Sequence, residues 1–116
     1  PIQEMIANSD AALRAARAGH IEAMTAVWDA AQSGEEVPLR LRAQVYGSSY
    51  YAIDVMRDTI SRLYARGTRA AFLQGHPVER ALRNLHAIGF GLEAGRMFQH
   101  SAGRVLMGGE PLVPTF

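Results

Sequence analysis

The 116-residue sequence contains no cysteine and no lysine. Without cysteine there is no disulfide, no thiolate metal ligand and no thiol nucleophile. All 12 basic residues are arginine, set against 11 acidic ones, so the formal charge is +1. A balance this close to zero argues against nucleic-acid or anionic-membrane binding through bulk charge. No apolar run approaches the roughly 18–20 residues that a spanning helix needs, and no basic-apolar-small leader opens the chain. A cytoplasmic location, with neither membrane nor nucleic acid as partner, is the expectation that follows. Strand formers are scarce too: seven valines and six isoleucines are scattered and never alternate in a run. No GxGxxG, Walker-type loop, GxSxG or Ser/His/Asp arrangement is present. The histidines His20, His76, His86 and His100 share no HxxxH or HxxH spacing, and there is no pair of E-x-x-H motifs. A metal would need Glu93 with His100, two turns apart on one helix, and no metal site is expected.

What is abundant is alanine, 19 of the 56 hydrophobic residues. Alanine has the best helix propensity, and its small side chain lets helices approach closely. The chain therefore reads as all-α, an up-and-down bundle of about four helices. The first helix covers residues 2–32, with Ile2, Met5, Ile6, Leu13, Ala16, Met24, Val27, Trp28 and Ala31 recurring mostly at three- and four-residue steps. Gly34 supplies its left-handed stop. Asn8-Ser9-Asp10 offers an alternative start near Ala11. The second helix, 38–66, carries two apolar stripes. Leu41, Val45, Ser48, Ala52, Met56, Thr59 and Leu63 form one; Tyr46, Ile53 and Ile60, with Tyr50 and Tyr64 nearby, form the other. A helix apolar on two faces has neighbours on two faces and is central. Asp54 with Arg57, and Asp58 with Arg62, read as a solvated seam of helical ion pairs. Gly75-His76-Pro77 marks the next boundary. A third helix is expected from 77 to about 86 or 88, because Gly89, Gly91 and Gly95 each weaken helix propensity by up to ~1 kcal/mol. A fourth is expected over about 92–106, stopped by Gly108-Gly109. The bundle thus spans 1–109, and 110–116 is an extended, proline-containing tail.

Arg66, Arg69, Arg80 and Arg83 cluster around the second boundary, with Gly67-Thr68 nearby. Guanidinium forks suit phosphate or carboxylate, and a helix break exposes N–H donors. The same arginines equally suit solvated or intra-bundle ion pairs, Glu79 being the nearest acid. Trp28, Tyr46, Tyr50, Tyr51, Tyr64, Phe72, Phe90 and Phe98 suit either an ordinary core or a flat apolar pocket with hydroxyls that orient a ligand.

Three segments resemble the acyl-CoA dehydrogenase superfamily. Pro77-Val78-Glu79-Arg80-Ala81-Leu82-Arg83-Asn84-Leu85-His86 is similar to its P-V-E-R-x-x-R-D stretch. Leu63-Tyr64-Ala65-Arg66-Gly67-Thr68-Arg69-Ala70 is similar to the glycine-containing break after its long central helix. Ala102-Gly103-Arg104-Val105-Leu106-Met107-Gly108 is similar to its closing a-G-R-x-L-L-G helix. The order and spacing agree, and the resemblance covers about residues 1–109. It looks closest to the subgroup that includes flavin-dependent monooxygenases served by a separate reductase.

The resemblance implies a carboxy-terminal helical bundle belonging to a chain several times longer. In this superfamily such a bundle builds the core of a homodimer or tetramer and helps to bind flavin at the subunit interface. Gly67, Thr68 and Arg69 fall where relatives present backbone and polar groups to the cofactor. Arg83 and Asn84 match the R-D pair, with Asn in place of Asp, and His86 follows on the same helical face. Two turns past Arg83, the dehydrogenases often carry the glutamate of I-Y-E-G-T, and the monooxygenases commonly a histidine. Here Gly91 and Leu92 stand there, with Glu93 one position late. No catalytic residue is assigned on this basis; Glu93 and His86 are the candidates. The expected cofactor is FAD, or reduced FMN as the alternative, and the expected substrate is an acyl thioester or small organic molecule. Two readings from other classes stand beside this one: the ligand-binding and dimerisation bundle of a transcriptional regulator, and a non-catalytic oligomerisation module.

Overall fold

The computed structural model describes residues 1–67, 72–93 and 95–116, with the side chains of Phe90, Leu92 and Glu93 outside the description. Four helices follow one another: α1 (Ile2–Gln32), α2 (Leu39–Ala65), α3 (Pro77–Glu93) and α4 (Arg96–Leu106). α1 starts at the first of its two candidate positions. Asp10 does not cap a shorter helix; it accepts from Arg14 Nε at 2.9 Å, one turn on. Gly34, at φ 78°, ends the helix, and Ser33 Oγ donates to the Ala30 carbonyl at 2.6 Å. Pro38, at ψ 141°, then holds the chain extended before α2 begins.

α2 is the central rod, packed against α1 on one side and against α3 and α4 on another. The α1 side is antiparallel and built from small residues. Ser9, Ala16 and Ala23 of α1 and Ala43 of α2 are buried, and the His20 Nδ1 meets Ser48 Oγ at 3.1 Å. Ser48 and Ser49 both donate to the Val45 carbonyl, at 3.0 and 2.7 Å, so their oxygens are left to accept from the imidazole. On the other side the two stripes of α2 separate as the sequence indicates. Tyr46 stacks on Phe98 of α4 with centroids 5.0 Å apart, and Tyr64 meets Phe72 edge-on at the same distance.

α3 continues past the expected end at 86–88, through Gly89 and Gly91 to Glu93, and α4 begins at Arg96. Propensity misplaces the break because Gly89 has a packing role. It is buried, and a Cβ there would lie 3.0 Å from a terminal nitrogen of Arg57. Helical hydrogen bonding together with that fit outweighs a cost of about 1 kcal/mol per glycine.

α4 stops at Gly108, φ 89°, with the Gly109 N–H bonded back to the Arg104 carbonyl at 2.8 Å. Residues 110–116 hold no regular element and lie against the bundle. The Leu112 N–H donates to Ser101 Oγ at 2.9 Å. Phe116 is buried with Ala43 and Ala102, and its ring centroid is 5.0 Å from that of Tyr46.

Candidate functional site

The sequence-expected site surrounds the C-terminal end of α2 and the start of α3. Arg62 and Arg66 project one turn apart from the last turns of α2. With Glu4, Met5 and Asn8 of α1 they line a cleft of about 320 Å³. Both arginines are exposed. Asp58 and Arg62, expected as an ion pair, are not among the ion pairs formed between described residues. Gly67 follows, half-buried, its N–H bonded to the Tyr64 carbonyl at 3.1 Å. Thr68 and Arg69 lie outside the described residues.

α3 opens with a cap that sequence reasoning missed. The Val78 N–H donates to His76 Nδ1 at 3.2 Å, so that nitrogen carries the lone pair and the tautomer is fixed. Glu79, in the first turn, accepts the Gly75 N–H at 3.0 Å through Oε2 and pairs with Arg83 Nε at 3.4 Å through Oε1. The signal was present as a glutamate three residues after the boundary, the spacing of a capping box, but histidine is not among the usual cap residues. With Val78 and Gly75 N–H groups already bonded, the guanidinium groups are this region's principal anion ligands. Arg83, Asn84 and His86 all project from the exposed part of α3. Glu93 is the last residue of α3, and its side chain is not described.

A second polar cluster joins α2 to α4. Asp54 receives Arg57 at 2.6 Å on its own helix and both terminal nitrogens of Arg96, at 3.1 and 3.3 Å, from α4. Arg96 also donates to Gln99 Oε1 at 2.6 Å, and its guanidinium carbon lies 5.7 Å from the Tyr50 ring centroid. The buried Tyr50 hydroxyl donates to the Gly95 carbonyl, satisfying the backbone where α3 gives way to α4. The Arg96 hydrogen bonds, opposed by partial burial and helped by Arg57, hold the Asp54 carboxyl below its ordinary value. The expected solvated pair is thus an interhelical clasp. It saturates its carboxylate, so it serves as structure and offers no general base.

Among protein families, the model of the acyl-CoA dehydrogenase C-terminal domain matches residues 1–90. The chain belongs to this family. The matched range takes in α1, α2 and most of α3, and with them Gly67, Thr68, Arg69, Arg83, Asn84 and His86. Glu93 and the closing segment 102–108 fall beyond it. Neither a curated protein nor a solved structure matches the chain. No helix among the described residues of this acyl-CoA dehydrogenase-type bundle is long and apolar enough to cross a membrane.

Proposed function

We propose that this bundle is the C-terminal part of a cytoplasmic flavin-dependent oxidoreductase, supplying oligomer contacts and part of the flavin and substrate site. The observation that carries the reading is the family match across 1–90. The donor set at the α2–α3 junction fits an anionic cofactor. Arg62, Arg66 and Arg83 are exposed guanidiniums, and planar forks suit a diphosphate. Gly67, Thr68, Arg69, Arg83 and Asn84 are the residues assigned to hold it, as FAD or alternatively as reduced FMN. When bound, the flavin supplies two-electron chemistry: oxidation of an acyl thioester, or activation of oxygen to hydroxylate a small organic substrate.

The chain's own part is binding, orientation and water exclusion. Glu79 fixes Arg83 through Nε, which presents the two terminal nitrogens of that arginine to an anion. His86, three residues on, is the candidate to hold or move a proton near that anion, with Glu93 as the second candidate. The bundle works within a homo-oligomer, and the hydroxylating version draws reduced flavin from a separate reductase.

Titrating the full-length protein with FAD, and anaerobically with reduced FMN, tests this through the flavin's absorbance and fluorescence. Saturable binding of one form is expected. Arg83→Ala should weaken it about tenfold, the scale of one lost charge-assisted hydrogen bond. A folded full-length protein that binds neither form would return the bundle to the regulator or oligomerisation readings.

A further inference from the structure

α1 is apolar on two faces, and the larger residues are on the wrong one for a free-standing domain. Toward α2 it presents Ser9, Ala16 and Ala23, all buried. Away from α2 it presents Ile2, Ile6, Leu13, Ile21, Met24 and Trp28. All six are exposed, Trp28 to 66%. At 3.6 residues per turn these six fall within an arc of about 100°, a continuous stripe along the helix. Among the described residues α2 is the only helix against which α1 packs extensively.

The accessible area measures the same surplus. A compact protein of 12.7 kDa is expected to expose about 6,200 Å². This chain exposes 7837 Å². The excess of about 1,600 Å² is twice the roughly 800 Å² that each partner contributes to a standard interface.

Charge on the stripe selects what covers it. Only Asp10 and Arg17 carry charge within the arc, at positions on either side of Leu13. Two copies of α1 laid parallel about a twofold axis would set Asp10 against Asp10 and Arg17 against Arg17. Laid antiparallel, the stripe becomes complementary to itself. Ile2 then lies opposite Trp28 of the second copy, Ile6 opposite Met24, and Leu13 opposite Arg17. The Arg17 stem covers Leu13 while its guanidinium reaches Asp10, one turn away.

We infer that the outer stripe of α1 is a twofold seam with a second copy of this chain, antiparallel and centred between Leu13 and Arg17. This names the surface through which the proposed homo-oligomer forms, and it rests on that part of the functional reading.

The absence of cysteine from this sequence makes the register measurable. Ile6→Cys and Met24→Cys variants of the full-length chain, oxidised separately and then as an equimolar mixture, are compared by mass spectrometry of the linked peptides. The mixture is expected to yield at least about tenfold more 6-to-24 cross-link than either variant yields with itself, because a disulfide tolerates only a narrow Cα separation. Trp28→Glu, at an already exposed position, should keep the helical circular dichroism and raise the dimer Kd about thirty-fold or more. Self-linking of Ile6→Cys would make the seam parallel and overturn the inference. An oligomer by sedimentation with neither cross-link nor response to Trp28→Glu would place its contacts elsewhere, overturning the seam and leaving the oligomer. A monomer would overturn both, while flavin binding, measured separately, would still decide the enzymatic reading.

Discussion

Asp54 shows what a single residue contributes once the fold has closed around it. Two arginines from two helices share its carboxylate, and both favour its charged form. Its folded pKa lies below the ordinary value of 3.8. A depressed carboxyl pKa adds stability above the unfolded value, and that stability is lost as pH falls through the folded one. Asp54→Asn should therefore lower the Tm by a few degrees at pH 7, corresponding to about 1 kcal/mol for a partly exposed ion pair. The gap should close as the pH is taken below about 4, where the wild-type carboxyl also becomes neutral. Thermal melts of the two proteins from pH 7 to pH 3 check this, and a gap that widened toward acid would contradict it. Only half of this clasp was legible in the sequence. The Asp54–Arg57 spacing is local, but Arg96 comes from 42 residues away. Nothing in a linear pattern pairs one particular arginine with one particular aspartate across that distance.

Among the elements, α1 and α2 were legible almost to the residue, because each carries sustained helical periodicity between strong stops. Gly34 and the Pro38 extension are such stops, and both have the backbone geometry those residue types favour. The α3–α4 break was not legible. Gly89 looks like a terminator until Arg57 is seen lying against it. The buried end of the tail was hidden for a related reason: Phe116 gains meaning only from Tyr46, Ala43 and Ala102. Two substitutions separate glycines that serve packing from those that do not. A Cβ at Gly47, in the interior of α2, meets nothing within 4 Å. Gly47→Ala should stabilise by about 0.5–1 kcal/mol through helix propensity and the reduced freedom of the unfolded chain. Gly89→Ala gains the same propensity but must push the Arg57 guanidinium aside, so it should fall short of Gly47→Ala by most of that amount. Urea melts give both values, and equal gains would remove the packing role assigned to Gly89. The α3 cap yields a similar comparison. His76→Ala should cost about 1 kcal/mol, and His76→Asp should recover most of it, because the Val78 N–H needs an acceptor. Loss of stability in both variants to the same extent would mean that the histidine ring matters for packing and not as a cap.

At the scale of the whole molecule the dimensions are those of a part. The chain extends 53 × 27 × 25 Å, with a radius of gyration of 17.1 Å, where a compact chain of this length has about 13 Å. Three antiparallel rods, the third broken between α3 and α4, cannot enclose a core from all sides. Accordingly the residues buried in the interior are mainly small: alanines with Ser101 and Thr59, and only Tyr50 and Phe116 among the large side chains. Hydrophobic stabilisation scales with apolar area removed from water, so burial within one chain leaves much of the available stabilisation unrealised. Association supplies the remainder, and that has a thermodynamic signature. Any process that binds the folded chain and not the unfolded one raises stability with concentration. For a dimer, the free energy of unfolding rises by about 1.4 kcal/mol for each tenfold increase in protein concentration, a shift of several degrees in a domain of this size. Calorimetry of the full-length protein across a hundredfold concentration range should therefore show a steadily rising Tm. The slope should flatten in Trp28→Glu, which removes the most exposed large anchor of the α1 stripe while leaving the alanine face toward α2 intact. A Tm independent of concentration in the wild-type protein, with reversible unfolding, would mean that these apolar surfaces are covered within a single chain.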